Sequence, residues 1–110
     1  MASASDPKRQ LKIKTGVVKR LAKEKEMYEK EAVDQAAKVE KMKAEEKDEY
    51  DIKKQKEVLE ESRIMIPDCK RRLKTAYDDL KKLVADTEEL CETEEHKNAK
   101  AILENTVLEE

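Results

Sequence analysis

The sequence contains no phenylalanine and no tryptophan, and has one glycine, one histidine, two prolines and two cysteines in 110 residues. Each scarcity removes a class of function. One glycine cannot build a glycine-rich phosphate loop. One histidine, with two cysteines too far apart for a CxxC pair, supplies no recognisable metal-ligand spacing. Three tyrosines are the only aromatics, so no platform for stacking nucleic-acid bases is available. No apolar run approaches the roughly 20 residues that span a bilayer, and no signal-peptide pattern opens the chain. Cys69 and Cys91 are then expected to be reduced thiols, and the expected compartment is the cytoplasm.

What is abundant is charge. Charged residues make up 47% of the chain, 25 basic against 27 acidic, for a formal net of −2. Such a composition can prevent folding when too little apolar surface is left to offset ordering entropy. Here the signs nearly balance, the common residues are the helix formers Glu, Lys, Ala and Leu, and the apolar positions are periodic. Residues 1–6 are expected to be a disordered lead-in, with Asp6 capping a helix that has Pro7 in its first turn.

A seam with alternating steps of three and four runs Leu11, Lys14, Val18, Leu21, Lys25, Tyr28, Ala32, Gln35, Val39, Met42, with Ile13 and Val17 beside its start. It predicts a first helix over about 7–46. Gly16 within it is read either as tolerated slack or close helix contact, or as a bend. Asp48, with Asp51 three residues on, is placed to cap a second helix over about 49–85. Its seam runs Ile52, Gln55, Leu59, Ser62, Ile66, Cys69, Leu73, Ala76, Leu80, Leu83, flanked by Val58, Met65, Tyr77 and Val84. Pro67 should end or kink that helix. Because the step from Ile66 to Cys69 keeps the seam in phase, a continuous helix kinked at Pro67 is predicted. Asp86 and Glu89 resemble a capping pair for a third helix over about 87–108, with a weaker stripe of Leu90, His96, Ala99, Ile102, Leu103 and Thr106. His96 reads as a helix-face residue at the edge of that stripe, Cys69 as a small buried hydrophobe and Cys91 as a partly buried one.

Short turns set consecutive helices antiparallel. The predicted fold is all-α: an elongated antiparallel three-helix bundle with left-handed coiled-coil-like packing, one bundle over residues 7–108. Residues 1–30 carry +5, 31–62 −4, 63–84 +4 and 85–110 −7. Folding back therefore lays the acidic third helix against two basic segments, an arrangement that high salt should weaken. At ~1.5 Å per residue the first two helices run roughly 55 Å and the third about 33 Å. A two-helix hairpin near residues 32–62 should then be left partly uncovered, the usual mark of a partner surface. Lys70-Arg71-Arg72 invites a nucleic-acid reading, but Asp78, Asp79 and the acidic third helix dilute it. No nucleic acid and no membrane are expected as partners, and no residues are left to name for an enzyme.

Several segments resemble one family, tubulin-folding cofactor A, also called tubulin-specific chaperone A. They are Ile13-Lys-Thr-Gly-Val-Val-Lys-Arg-Leu21, Tyr28-Glu-Lys-Glu-Ala32, Tyr50-Asp-Ile-Lys-Lys-Gln55 and Glu61-Ser-Arg-Ile-Met-Ile-Pro-Asp-Cys-Lys-Arg-Arg-Leu73. The resemblance is collinear over about residues 8–108. It implies a three-helix bundle with a proline-interrupted middle helix, no cofactor, and capture of β-tubulin folding intermediates through helix faces on the way to the αβ heterodimer. Other tubulin-folding cofactors would be indirect partners, the chain a monomer, and the setting cytoplasmic and cytoskeleton-associated. Glu46-Lys47-Asp48 stands where the family suggests an Asp-Gly type turn. Thr93 and His96 stand where apolar or aromatic residues would suit its stripe, implying a third helix that docks less tightly. Partner contact is expected at Lys19, Arg20, Tyr28, Tyr50, Lys53, Lys54, Arg63, Lys70 and Arg71, the basic ones steering towards acidic tubulin. The alternative is a structural coiled coil that self-associates through its seams, which sizing by light scattering distinguishes.

Overall fold

The computed structural model describes residues 6–108. The expected lead-in falls outside them except for Asp6. The fold is all-α, with α1 over Pro7–Ala44, α2 over Glu49–Asp86, a short 3-10 turn over Glu88–Leu90, and α3 over Glu94–Asn105. Asp6 starts α1: its carboxylate accepts from the Lys8 amide at 3.1 Å and its carbonyl from Gln10 at 3.0 Å. Pro7 takes the first helical position, where its missing N–H costs nothing.

Two hydrogen bonds of a Schellman ending close α1, Lys47 N–H to the Met42 carbonyl (3.0 Å) and Glu46 N–H to the Lys43 carbonyl (3.1 Å). That motif needs a left-handed residue, and Glu46 supplies it at φ 54. The absent Asp-Gly is thus replaced by a strained glutamate. Asp48 then caps α2, its side chain accepting from Tyr50 N–H at 3.3 Å and its carbonyl from Ile52 N–H at 3.0 Å.

Pro67 lies inside α2, which continues past it to Asp86. Proline withholds the N–H that would bond the Arg63 carbonyl. Both Pro67 and Arg63 are exposed residues, so the gap in the ladder falls away from the apolar seam. Gly16 is exposed, and a Cβ built on it meets nothing within 4 Å. Close helix contact therefore does not explain this glycine.

The third helix begins later than the periodicity indicated. Thr87, expected at its start, is buried, and its hydroxyl donates to the Leu83 carbonyl at 2.7 Å in the last turn of α2. The 3-10 turn that follows has no side-chain cap. A turn at residues 91–93 reorients the chain and leaves Cys91 exposed, not partly buried. Thr93 is the true N-cap of α3, accepting from His96 N–H at 3.2 Å while its own hydroxyl donates to the Leu90 carbonyl at 2.7 Å. Glu94 and Glu95 in the first turn suit the positive end of the helix. The residue that departed from the family stripe is therefore the one that starts the helix.

Contacts divide the chain into two compact units, one formed by the chain up to Lys23 together with Lys70 onward, the other by Glu24–Cys69. The first is a three-helix unit. Its core is Leu11, Val18, Leu21, Leu73, Leu80, Val84 and Ala99, with Ala76, Leu83, Leu90, Ile102 and Leu103 packed against it. The second is a hairpin of α1 and α2, in which Val39, Leu59 and Cys69 are the buried apolar residues.

Candidate partner-binding surface

Both seams keep strict heptads. With Leu11, Val18, Lys25, Ala32 and Val39 of α1 and Ile52, Leu59, Ile66, Leu73 and Leu80 of α2 at position a, every a and d residue is buried or half-buried. What differs between the units is position e, the flank beside the seam. In the three-helix unit α3 lies over that flank. The Tyr77 hydroxyl donates to the Leu103 carbonyl at 3.3 Å, and Nε2 of His96 lies 3.0 Å from the Val84 carbonyl. On the α1 side, Lys12 and Thr15 line a cleft of ≈240 Å³ with Glu94, Glu95 and Asn98. His96 is fully buried, at 0% exposure, and not at the edge of the stripe. It sits in the first turn of α3, with its imidazole against the end of α2. Its Nε2–H donates to Val84, while Nδ1 is buried with no hydrogen-bond partner.

In the hairpin unit the e flank of both helices is open. A groove of ≈330 Å³ is floored by Ala36, Val39 and Leu59 and edged by Lys43, Lys56 and Arg63, with Glu40 and Glu60 at its rim. Within the seam Gln35 pairs with Gln55, its amide donating to the Gln55 side-chain oxygen at 2.7 Å and to the Gln55 carbonyl at 3.0 Å. A polar layer of this kind holds one register at some cost in stability. Lys25, at an a position, is buried with its ammonium 3.9 Å from Glu29. Met27, Val33, Tyr50, Val58 and Ile64 are all exposed.

The nine residues expected to meet a partner are divided between the units. Lys19, Arg20, Lys70 and Arg71 belong to the three-helix unit; Lys70 is half-buried and the others exposed. Tyr28, Tyr50, Lys53, Lys54 and Arg63 belong to the hairpin. Tyr28 is half-buried in the seam, so its ring packs as well as presents. Tyr50 and Lys54 come together, with the ammonium 5.5 Å from the ring centroid. Arg63 alone of the nine lines the groove. Sequence reasoning missed Lys43 and Lys56. The signal was their place one step beyond apolar a residues, at e, where a third helix would lie.

Among the described residues no group of three or more His, Cys, Asp or Glu is placed to hold a metal ion, and no helix is long and apolar enough to cross a membrane. What stands open is the hairpin groove and the exposed apolar residues of that unit.

Known proteins resemble this chain over nearly its whole length. The family model described as Tubulin binding cofactor A matches residues 6–103. Tubulin-specific chaperone A of Gallus gallus is 63% identical over 106 residues, covering 96% of this chain and 98% of that protein. The solved structure of human tubulin chaperone cofactor A aligns with a TM-score of 0.77 at 57% identity, covering 89% of this chain and 95% of that one. The crystal structure of tubulin folding cofactor A from Arabidopsis thaliana aligns with a TM-score of 0.81 at 46% identity, covering 92% and 95%.

Proposed function

The chain belongs to the tubulin binding cofactor A family, and from that membership we propose that it is a tubulin-folding cofactor. It captures β-tubulin folding intermediates and holds them, without catalysis, until they pass towards the αβ heterodimer. It acts as a monomer in the cytoplasm, beside the cytoskeleton, and meets other tubulin-folding cofactors only through the subunit it carries. The observation that carries this reading is relatedness at 63% identity over nearly the whole of both chains to a protein named as a tubulin-specific chaperone.

The physical character of the surface supports a holding role. Binding a partly folded protein calls for apolar area that remains open yet does not collapse on itself, with charge around it for steering. Exposed Val33, Tyr50 and Ile64 among charged residues of both signs have that character. Lys19, Arg20, Tyr28, Tyr50, Lys53, Lys54, Arg63, Lys70 and Arg71 remain the proposed contacts, and the cations among them raise the rate of encounter with an acidic partner.

The test is co-purification of the tagged full chain with β-tubulin newly released from the chaperonin, beside folded αβ heterodimer. Retention of the newly released subunit and not of the heterodimer is the expected result. Equal retention of both, or of neither, overturns the reading.

A further inference from the structure

The hairpin groove has a feature that the three-helix unit lacks. At the e positions that meet α3, the three-helix unit carries Thr15, Tyr77 and Val84, none of them charged. A helix of the chain itself covers those residues, and neutral side chains suit its stripe of Ala99, Ile102 and Leu103. In the hairpin the groove-lining e positions are Ala36, Lys43, Lys56 and Arg63. Lys43 is held 3.4 Å from Glu40. Among the described residues Lys56 and Arg63 have no ion-pair partner. The groove thus has an apolar floor of seam residues, one small residue that lets a backbone approach, and along the α2 side two cations that make no ion pair, with Glu40 and Glu60 at the rim.

In helix packing, e and g positions choose the partner by charge, while a and d supply the adhesion. We infer that this groove receives an amphipathic α-helix of the client protein, its apolar stripe seated on Ala36, Val39 and Leu59 and its acidic flank set against Lys56 and Arg63. The client helix is the third helix of the hairpin unit, supplied from outside. The inference rests on the reading of the chain as a folding cofactor and names the element of the client that it holds. From Ala36 to Lys43, and equally from Lys56 to Arg63, the groove runs two turns, about 10 Å. It therefore grips a segment of a helix and leaves the rest of the client free to fold.

The probes are two synthetic helical peptides of about 15 residues with the same Leu/Ala stripe, one flanked by glutamates and the other by lysines. Binding to the full chain is read by fluorescence anisotropy at low salt. The Glu-flanked peptide binds wild type. Its affinity falls about tenfold or more in K56E/R63E, and the Lys-flanked peptide gains in the same variant. The control K30E/K41E alters net charge equally at exposed positions outside the groove and leaves binding of the Glu-flanked peptide within about twofold. Ala36→Met, which fills the floor without changing charge, also weakens that peptide, and circular dichroism of each variant shows the wild-type helical spectrum. Wild type binding both peptides alike, or neither, overturns the inference, as does unchanged affinity in K56E/R63E. A scattering mass of two chains that falls to one in K56E/R63E overturns it as well, by showing a second copy to be the occupant. A chain that binds the Glu-flanked peptide but retains no β-tubulin keeps the groove and overturns the tubulin reading; one that retains β-tubulin but ignores both peptides does the reverse.

Discussion

The three-helix unit and the hairpin unit are built from the same two helices with the same heptads, yet they bury very different amounts. The first gathers seven buried apolar residues into one cluster, with Leu11, Val18 and Leu80 at 0% exposure. The second has Val39, Leu59 and Cys69, together with a buried lysine and a glutamine pair in its seam. Five large apolar residues stand exposed in it, Met27, Val33, Tyr50, Val58 and Ile64, against Ile13 and Val107 in the other. A two-helix seam shields one stripe on each helix, and a third helix is needed to close the flanks. The difference teaches that the same two helices give a closed core where a third helix covers them and leave more apolar surface exposed where it does not.

The largest expected effect sharpens that contrast directly. Leu80→Ala should cost about 2–5 kcal/mol, since it leaves a cavity in a core closed on all sides. Leu59→Ala, in the open seam, should cost less, because its surroundings can relax and water already reaches the groove. Urea denaturation of both variants checks this, and an equal loss would break the comparison. Next in size, Thr93→Ala should cost about 1 kcal/mol by removing the cap that starts α3. Hydrogen exchange should show the loss as faster exchange in α3 while the amides of residues 30–60 keep their wild-type rates. Exchange rising equally in both regions would mean that the two units open together. Glu46→Gly should stabilise by roughly 0.5–1 kcal/mol, because glycine takes the left-handed C-cap without the side-chain strain that glutamate bears at φ 54. Glu46 is none of the proposed contacts and does not line the groove, so tubulin capture should be unchanged while the melting temperature rises. Smallest, Gly16→Ala should stabilise by about 0.5–1 kcal/mol less whatever bend the glycine permits, since a Cβ there meets nothing within 4 Å. A drop in melting temperature would show that the glycine serves a bend.

Much of the fold was legible because heptads translate directly into burial. Each residue of the two long seams is buried or half-buried, down to Lys25 and Gln35, which composition alone would have set on the surface. The caps Asp6 and Asp48 were legible too, since an aspartate ahead of a periodic run has a specific hydrogen-bonding use. The start of α3 was not. The stripe ran back through Leu90, and Asp86 with Glu89 imitated a capping pair, while the signal that won was Thr93 followed by two glutamates. Of the candidate contacts, Arg63 was named as a basic residue on a helix face, and it is the one that lines the groove. Lys43 and Lys56 were passed over because nothing in their local sequence sets them apart from other helix lysines.

Sequence by itself determined that this chain is helical, where its two long helices lie, which face of each is buried, and to which family it belongs. The structural properties depend on local propensity and on a short period that any stretch of a dozen residues displays, and the family on particular segments such as Glu61–Leu73. Tertiary structure decided the rest: that His96 is enclosed, that α3 covers the neutral e residues Thr15, Tyr77 and Val84, and that the e residues Lys43, Lys56 and Arg63 stay open. Those outcomes depend on which surfaces meet, and a residue at position e is the same letter in the sequence whether or not a third helix covers it.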